Sequence, residues 1–196
     1  DGSSAIDERQ AFVLALSAPA TAPSVGSHAW CQADGIAEKI GVRILGGEAR
    51  EQALLASRWM VQNALRGDGE DGRESGKPYT AARLRADERA GKLDRLLVLQ
   101  CQRTLPADTK VALVWGKGIA AANGAATSAD HMLAYKTRPD FSARLRCDRV
   151  SARAQCIPFL PMRLEFSAPV AVADARGIYL EEANGKRHPE IGRAHV

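Results

Sequence analysis

The chain has 196 residues and a formal net charge of +4. Its hydrophobic share of 45% and charged share of 26% are typical of soluble globular proteins rather than of disordered chains. The longest apolar runs are short, such as residues 96–99, and the basic residues are interspersed with acidic ones. We therefore expect neither a membrane-spanning helix nor a nucleic acid as partner.

The first part of the chain is predicted to form three short strands. Apolar residues alternate with small or polar ones over residues 10–16, 25–33 and 37–45, which is the period of a half-buried strand. The dipeptide Asp34-Gly35 separates the last two, and Asp-Gly is a strong signal for a hairpin turn. This pattern predicts one strand followed by a hairpin.

A change in the spacing of apolar residues indicates a helical insertion. Over residues 48–65 the apolar residues recur at helical spacing. Residues 67–78 are polar and rich in glycine, so we expect them to be mobile, and residues 80–90 favour a second, weaker helix. Together these elements predict an insertion at about residues 48–92 within a β domain.

Strands resume after the insertion. Alternation returns in six stretches, residues 95–102, 110–115, 131–137, 141–147, 155–159 and 162–166. Short strands separated by turn signals, about seven to a domain, are typical of an antiparallel Ig-like β-sandwich. We therefore predict a mainly β fold of this kind, with Trp30, Trp59 and Trp115 in its core.

A short repeat indicates where one domain ends. The sequence Ser-Ala-Pro follows an alternating stretch at Pro19 and recurs at Pro169, about 150 residues later, which is the size of a typical domain. We expect one domain over residues 7–140, and a linker with the opening strands of a following domain over residues 141–196. Because the residues after the second copy are too few for a core of their own, we expect the chain to be part of a longer protein.

The four cysteines are Cys31, Cys101, Cys147 and Cys156. Cys147 and Cys156 flank a short polar connection, as at a bridged turn, whereas Cys31 and Cys101 each lie inside a predicted strand. These positions favour the disulfides Cys31–Cys101 and Cys147–Cys156, and the absence of a Cys-x-x-Cys pair argues against zinc. Such disulfides imply an oxidising compartment; the alternative is four buried thiols in a cytosolic protein.

Residues capable of catalysis form no recognisable motif. The four histidines, His28, His131, His188 and His195, each stand alone, and no Gly-x-Ser-x-Gly elbow supplies a nucleophile. Residues 72–78 depart from a phosphate-binding loop at its first glycine and after its lysine. We therefore predict no enzyme activity, no cofactor and no metal site.

Five stretches outside the insertion carry a family resemblance. They are residues 11–19, His28-Ala29-Trp30-Cys31, residues 99–106, the run Leu113-Val114-Trp115-Gly116-Lys117-Gly118-Ile119 and, most firmly, residues 147–170 with Cys156-Ile157-Pro158. These stretches resemble bacterial α2-macroglobulins, the large periplasmic relatives of the animal protease traps. Together they cover most of the chain outside residues 49–95.

The resemblance implies a scaffold role. Such proteins are strings of macroglobulin-like β-sandwich domains with a protease bait region, and many carry a thioester within Cys-Leu-Glu-Gln, a motif that this sequence lacks. The implied protein is a structural module of a periplasmic protease inhibitor with both disulfides formed, in a parent that a lipid anchor could hold to the inner membrane. Its partners would be neighbouring domains of the same chain and, through the full-length protein, target proteases. The alternative is an independent Ig-like adhesion or binding module of the bacterial envelope, with the helical insertion as its contact surface.

Overall fold

The computed structural model of the protein describes residues 5–66, 79–157, 159–181 and 184–189. The chain divides into two compact units, Asp1–Arg138 and Pro139–Val196. The glycine-rich residues 67–78, for which the sequence predicts mobility, lie outside the described residues.

The first unit is built on a six-stranded antiparallel sheet. Its strands are β1 (Ala11–Ala15), β2 (Ala29–Ala33), β3 (Ile36–Ile44), β4 (Leu96–Cys101), β5 (Lys110–Trp115) and β6 (His131–Lys136). They pair in the order β1-β4-β3-β2-β5-β6. The predicted mainly antiparallel β fold is confirmed, including the hairpin between β2 and β3, whose turn residue Gly35 has a φ of 81°.

The sheet curls, so that its two edges approach each other. The first part of β3 pairs with β2, whereas its end, from Val42 on, pairs with β4. At the edges, Ile6 forms a parallel bridge with Thr137, directly after β6. The ring of Phe12 on β1 lies 5.2 Å from that of Tyr135 on β6, centre to centre. The curled sheet encloses the main hydrophobic core.

Four described helices accompany this sheet. They are α1 (Ala22–His28), α2 (Gly47–Ala56), α3 (Arg58–Arg66) and α4 (Ala81–Arg89). Because α2, α3 and α4 all lie between β3 and β4 in the chain, the predicted helical insertion is confirmed. In the part of the chain that the structure describes, no helix is long and apolar enough to cross a membrane.

The insertion builds a second core against β1 and β4. This second cluster contains Leu54, Val61, Tyr79, Leu84, Leu93, Leu96 and Val98. Side chains alternate along a strand, so Leu97 and Leu99 contact the main core while Leu96 and Val98 face the helices. β4 is therefore covered on both faces, which explains the uninterrupted apolar run of residues 96–99.

Two predictions about the first unit are wrong. Residues 25–28, predicted as the start of a strand, belong to α1, and the strand covers only Ala29–Ala33. A proline in the first turn of α1 favours the helix there, because its missing N–H has no partner inside a helix at that position. Trp59, predicted in the core, is 63% exposed. Successive helix residues are about 100° apart, so Trp59 faces away from the side of α3 that buries Val61.

The second unit contains two short hairpins. Its elements are β7 (Ala143–Arg146), β8 (Arg163–Phe166), the one-turn helix α5 (Val172–Ala175), β9 (Tyr179–Glu181) and β10 (Arg187–Pro189). β7 pairs with β8 and β9 pairs with β10, both antiparallel. None of the residues described in this unit is buried.

The strand predicted over residues 155–159 does not form among the described residues of that stretch. Cys156 is bonded to Cys147, and the N–H of Ile157 donates to the carbonyl of Asp148 at 2.9 Å. These contacts close a loop onto the end of β7, so the backbone turns back instead of joining a ladder.

Candidate functional site

Ser24 and His28, one turn apart on α1, are the pair that most resembles a nucleophile and a base. The Nδ1 atom of His28 lies 3.0 Å from the backbone oxygen of Ser24, not from its hydroxyl. The hydroxyl of Ser24 accepts from the N–H of Ala120 at 2.6 Å and donates to the carbonyl of Gly118 at 3.3 Å. A serine nucleophile needs a base within reach of its hydroxyl. In this pair, both side chains instead form hydrogen bonds with backbone atoms.

The glycine-containing loop after β5 is fixed by its own side chains. The hydroxyl of Thr127 donates to the carbonyl of Gly116 at 2.6 Å, and Asp130 accepts from the N–H of Lys117 at 2.6 Å. A Cβ atom at Gly116 would lie 2.1 Å from the carbonyl oxygen of His28. The glycine therefore permits a close approach between this loop and α1. This packing explains the glycine at position 116 without a role in ligand binding.

The histidines are distributed over separate elements. His28 ends α1, His131 begins β6, His188 lies in β10 of the second unit, and His195 is outside the described residues. Within the described ranges, no group of three or more histidine, cysteine, aspartate and glutamate residues is placed to hold a metal ion.

A cleft of about 410 Å³ opens beside the turn between β2 and β3. It is lined by Gln32, Ala33, Asp34, Ile36, Ala37, Glu38, Lys39, Lys110, Val111, Ala112, Met132, Ala134 and Tyr135. The ammonium of Lys39 lies 3.6 Å from the ring centre of Trp30, and burial raises the pKa of Tyr135. The cleft thus has mixed charge, with Lys39 placed over an aromatic ring and the phenol of Tyr135 neutral at physiological pH.

In the helical insertion, the groups whose pKa values are shifted are hydrogen-bonded to other side chains. Arg85 on α4 donates to both carboxylate oxygens of Glu51 on α2, at 2.7 and 2.8 Å, and this hydrogen bond lowers the pKa of Glu51. Burial, followed by a 2.8 Å hydrogen bond to Asp87, raises the pKa of Tyr79. These contacts join α2 to α4 and Tyr79 to α4.

The structure forms the two predicted disulfides, which take up all four cysteines. Cys31 and Cys101 are 1% and 6% exposed in the main core, with their Cα atoms 6.0 Å apart. Cys147 and Cys156 are half-buried, with their Cα atoms 5.5 Å apart, and close the loop after β7.

An apolar face runs along the hairpin of β7 and β8. Residues directly opposite each other on paired strands share a face, as do residues two apart on one strand. Leu145 lies opposite Leu164, and Phe166 is two residues beyond Leu164. The ring of Phe141 stacks on that of Phe166, with centres 5.9 Å apart. We call Phe141, Leu145, Leu164 and Phe166 the ribbon face; Phe141 is 63% and Leu145 53% exposed.

The opposite face of this hairpin is charged. Arg144 lies opposite Glu165 and Arg146 opposite Arg163, and Arg146 donates to Glu165 at 2.6 Å. An isolated two-stranded hairpin is marginally stable in water, and a sheet with one apolar face is normally covered on that face. The ribbon face is therefore suited to pack against another protein surface.

No protein-family model matches the chain, and no curated protein matches it.

Proposed function

We propose that this chain is a non-catalytic structural module of a larger periplasmic protein of the protease-trapping α2-macroglobulin type. The observation that carries this proposal is the ribbon face, which exposes leucine and phenylalanine in a unit with no buried residue among those described. Burying one such side chain fully stabilises a protein by roughly 1.5–3 kcal/mol. The second unit therefore gains stability when a neighbouring domain of the same polypeptide covers this face.

The first unit also supports a structural role. Its core contains the buried Cys31–Cys101 disulfide, which favours an oxidising location such as the periplasm. The finer part of the proposal is an Ig-like, macroglobulin-like sandwich. It is supported by β3, which pairs with β2 over one part and with β4 over another, around one common core.

The absence of activity is also part of the proposal. The Ser24 hydroxyl is engaged by the backbone of Gly118 and Ala120, and the His28 ring by the backbone of Ser24. Acyl transfer requires a hydroxyl or thiol activated by a base and a pair of donors for the developing oxyanion. The contacts of this pair favour a structural role.

The test is to incubate the purified chain with serine, cysteine and metalloproteases, and separately with amine and ester probes. We expect no dose-dependent inhibition, no hydrolysis and no covalent adduct. Inhibition that rises with the concentration of the chain, or an adduct on a serine or cysteine, would contradict the proposal.

One observation favours the second candidate, an independent adhesion module of the envelope. Trp59 is 63% exposed on α3 of the insertion, and exposed tryptophans are frequent anchors of protein interfaces. Binding of the chain to envelope or host-surface preparations that Trp59→Ala abolishes and Leu145→Glu leaves intact would favour adhesion. No binding of the chain to either preparation would favour the scaffold role.

A further inference from the structure

The two disulfides have contrasting surroundings. Cys31 and Cys101 lie inside the main core, whereas Cys147 and Cys156 are half-buried in a unit without a buried residue among those described. Thiol–disulfide exchange requires a thiolate to reach a sulfur atom, so burial protects the first bridge. The second bridge is therefore the more accessible of the two in the folded protein.

An arginine distinguishes the two sulfur atoms of the second bridge. The Nε atom of Arg149 donates to the Sγ atom of Cys147 at 3.4 Å. Four arginines and one aspartate lie between residues 144 and 153, so the local charge is positive. Positive charge stabilises a thiolate relative to its thiol. Cys147 is therefore the better leaving group of the pair.

We propose that Cys147–Cys156 is a thiol–disulfide exchange site for a reduced dithiol, with Cys156 as the sulfur attacked and Cys147 as the leaving thiolate. In the first step, one thiolate of the dithiol bonds to Sγ of Cys156. The bond between Cys156 and Cys147 breaks, and its electron pair leaves on Cys147 beside Arg149. In the second step, the other thiol of the dithiol displaces Cys156 from the mixed disulfide.

The reaction balances without another reagent. The dithiol is oxidised by two electrons to a disulfide, the two cysteines are reduced, and the two protons of the dithiol pass to them. Reduction opens a loop with a sequence separation of 9 at the end of β7, while the core bridge stays closed. This site is independent of the proposed scaffold function.

The experiment uses the folded, oxidised chain and glutathione, a monothiol that has no second thiol to complete the exchange intramolecularly, so that early samples contain the mixed disulfide. Early samples are quenched with acid, alkylated with N-ethylmaleimide and mapped by mass spectrometry. We expect glutathione on Cys156, N-ethylmaleimide on Cys147, and an intact Cys31–Cys101 bridge. Glutathione on Cys147, or reduction of Cys31–Cys101 first, would overturn the proposal.

A matched pair of variants tests the role of Arg149. Arg149→Gln removes the guanidinium at Cys147, and Arg153→Gln removes an exposed arginine of the same loop. We expect Arg149→Gln to slow reduction by dithiothreitol roughly threefold, because a less stabilised thiolate leaves more slowly, and Arg153→Gln to have a smaller effect. Equal rates for the two variants would overturn the assignment of Cys147 as leaving group.

Discussion

A disulfide joins Cys31 on β2 to Cys101 on β4, two strands that have β3 between them in the sheet. Their Cα atoms are 6.0 Å apart although β2 and β4 do not pair, because β3 separates them in the sheet. Ile40 of β3 lies opposite Cys31, and Val42 of the same strand lies opposite Cys101. The disulfide therefore ties together the two parts of the curled sheet at the point where β3 passes from one partner to the other.

Removing this bridge tests its contribution to stability. The double variant Cys31→Ala, Cys101→Ala is expected to lower the free energy of unfolding by about 4 kcal/mol, because the bridge closes a loop with a sequence separation of 70. All three tryptophans lie in the first unit, so urea unfolding followed by tryptophan fluorescence reports on that unit.

The control for this prediction is the double variant Cys147→Ala, Cys156→Ala. Its bridge lies in the second unit, so the fluorescence-monitored transition should stay within about 0.5 kcal/mol of the wild type. A similar loss for both double variants would contradict the assignment of Cys31–Cys101 as the principal covalent support of the first unit.

Replacing Gly116 and Gly26 by alanine should have opposite effects on the stability of the first unit. Gly116→Ala places a Cβ atom against the carbonyl oxygen of His28 and should destabilise the first unit by about 1–3 kcal/mol. Gly26 lies within α1 with nothing within 4 Å of an added Cβ, so Gly26→Ala should stabilise by about 0.4–1 kcal/mol. Urea midpoints measured on both variants check the signs, and a stabilising Gly116→Ala would show that the loop does not approach α1 so closely.

Alkaline pH should destabilise the first unit through Tyr79. An unfolded tyrosine loses its proton near pH 10, whereas burial and the bond to Asp87 raise the pKa of Tyr79 in the folded state. A raised folded-state pKa means that the contribution to stability is complete below about pH 10 and is lost as the pH rises above it. Burial of Tyr135 acts in the same direction.

The measurement is the urea midpoint between about pH 8 and pH 11 for the wild type, Tyr79→Phe and Tyr135→Phe. Tyr79→Phe should lower the free energy of unfolding by about 1 kcal/mol at neutral pH, because the hydrogen bond to Asp87 is lost. The urea midpoint of this variant should nevertheless fall less steeply as the pH rises. A decline as steep as that of the wild type in both variants would rule out the tyrosines as its source.

Local patterns in the sequence predict most elements of the first unit. The strand predicted over residues 110–115 is β5, Lys110–Trp115, because alternation and flanking turns are local signals. The helical insertion is also predictable, because the spacing of apolar residues changes from that of a strand to that of a helix. α1 was predictable from Thr21 and the following proline as a helix start, but the apolar alternation of the next residues favours a strand.

The ribbon face and the curl could not be predicted in the same way. The alternations Arg144-Leu145-Arg146 and Leu164-Glu165-Phe166 are visible in the sequence, but nothing local shows that these segments pair. Similarly, the strand patterns do not reveal that Ile6 meets Thr137 across the edges of the sheet. Such contacts depend on residues distant in sequence, which periodicity does not identify.

The most direct test of the scaffold proposal is hydrogen exchange at the backbone amides of β7 and β8. Exchange is measured by mass spectrometry on the isolated chain and on the longest natural polypeptide that carries it, with Leu145→Glu on the ribbon face and Arg163→Gln on the charged face as variants. We expect rapid exchange in the isolated chain and at least about tenfold slower exchange in the longer polypeptide, because covering the ribbon face protects the hairpin from opening. Leu145→Glu should abolish this protection and Arg163→Gln should keep it, whereas equally rapid exchange in the isolated chain and the longer polypeptide would contradict the proposal.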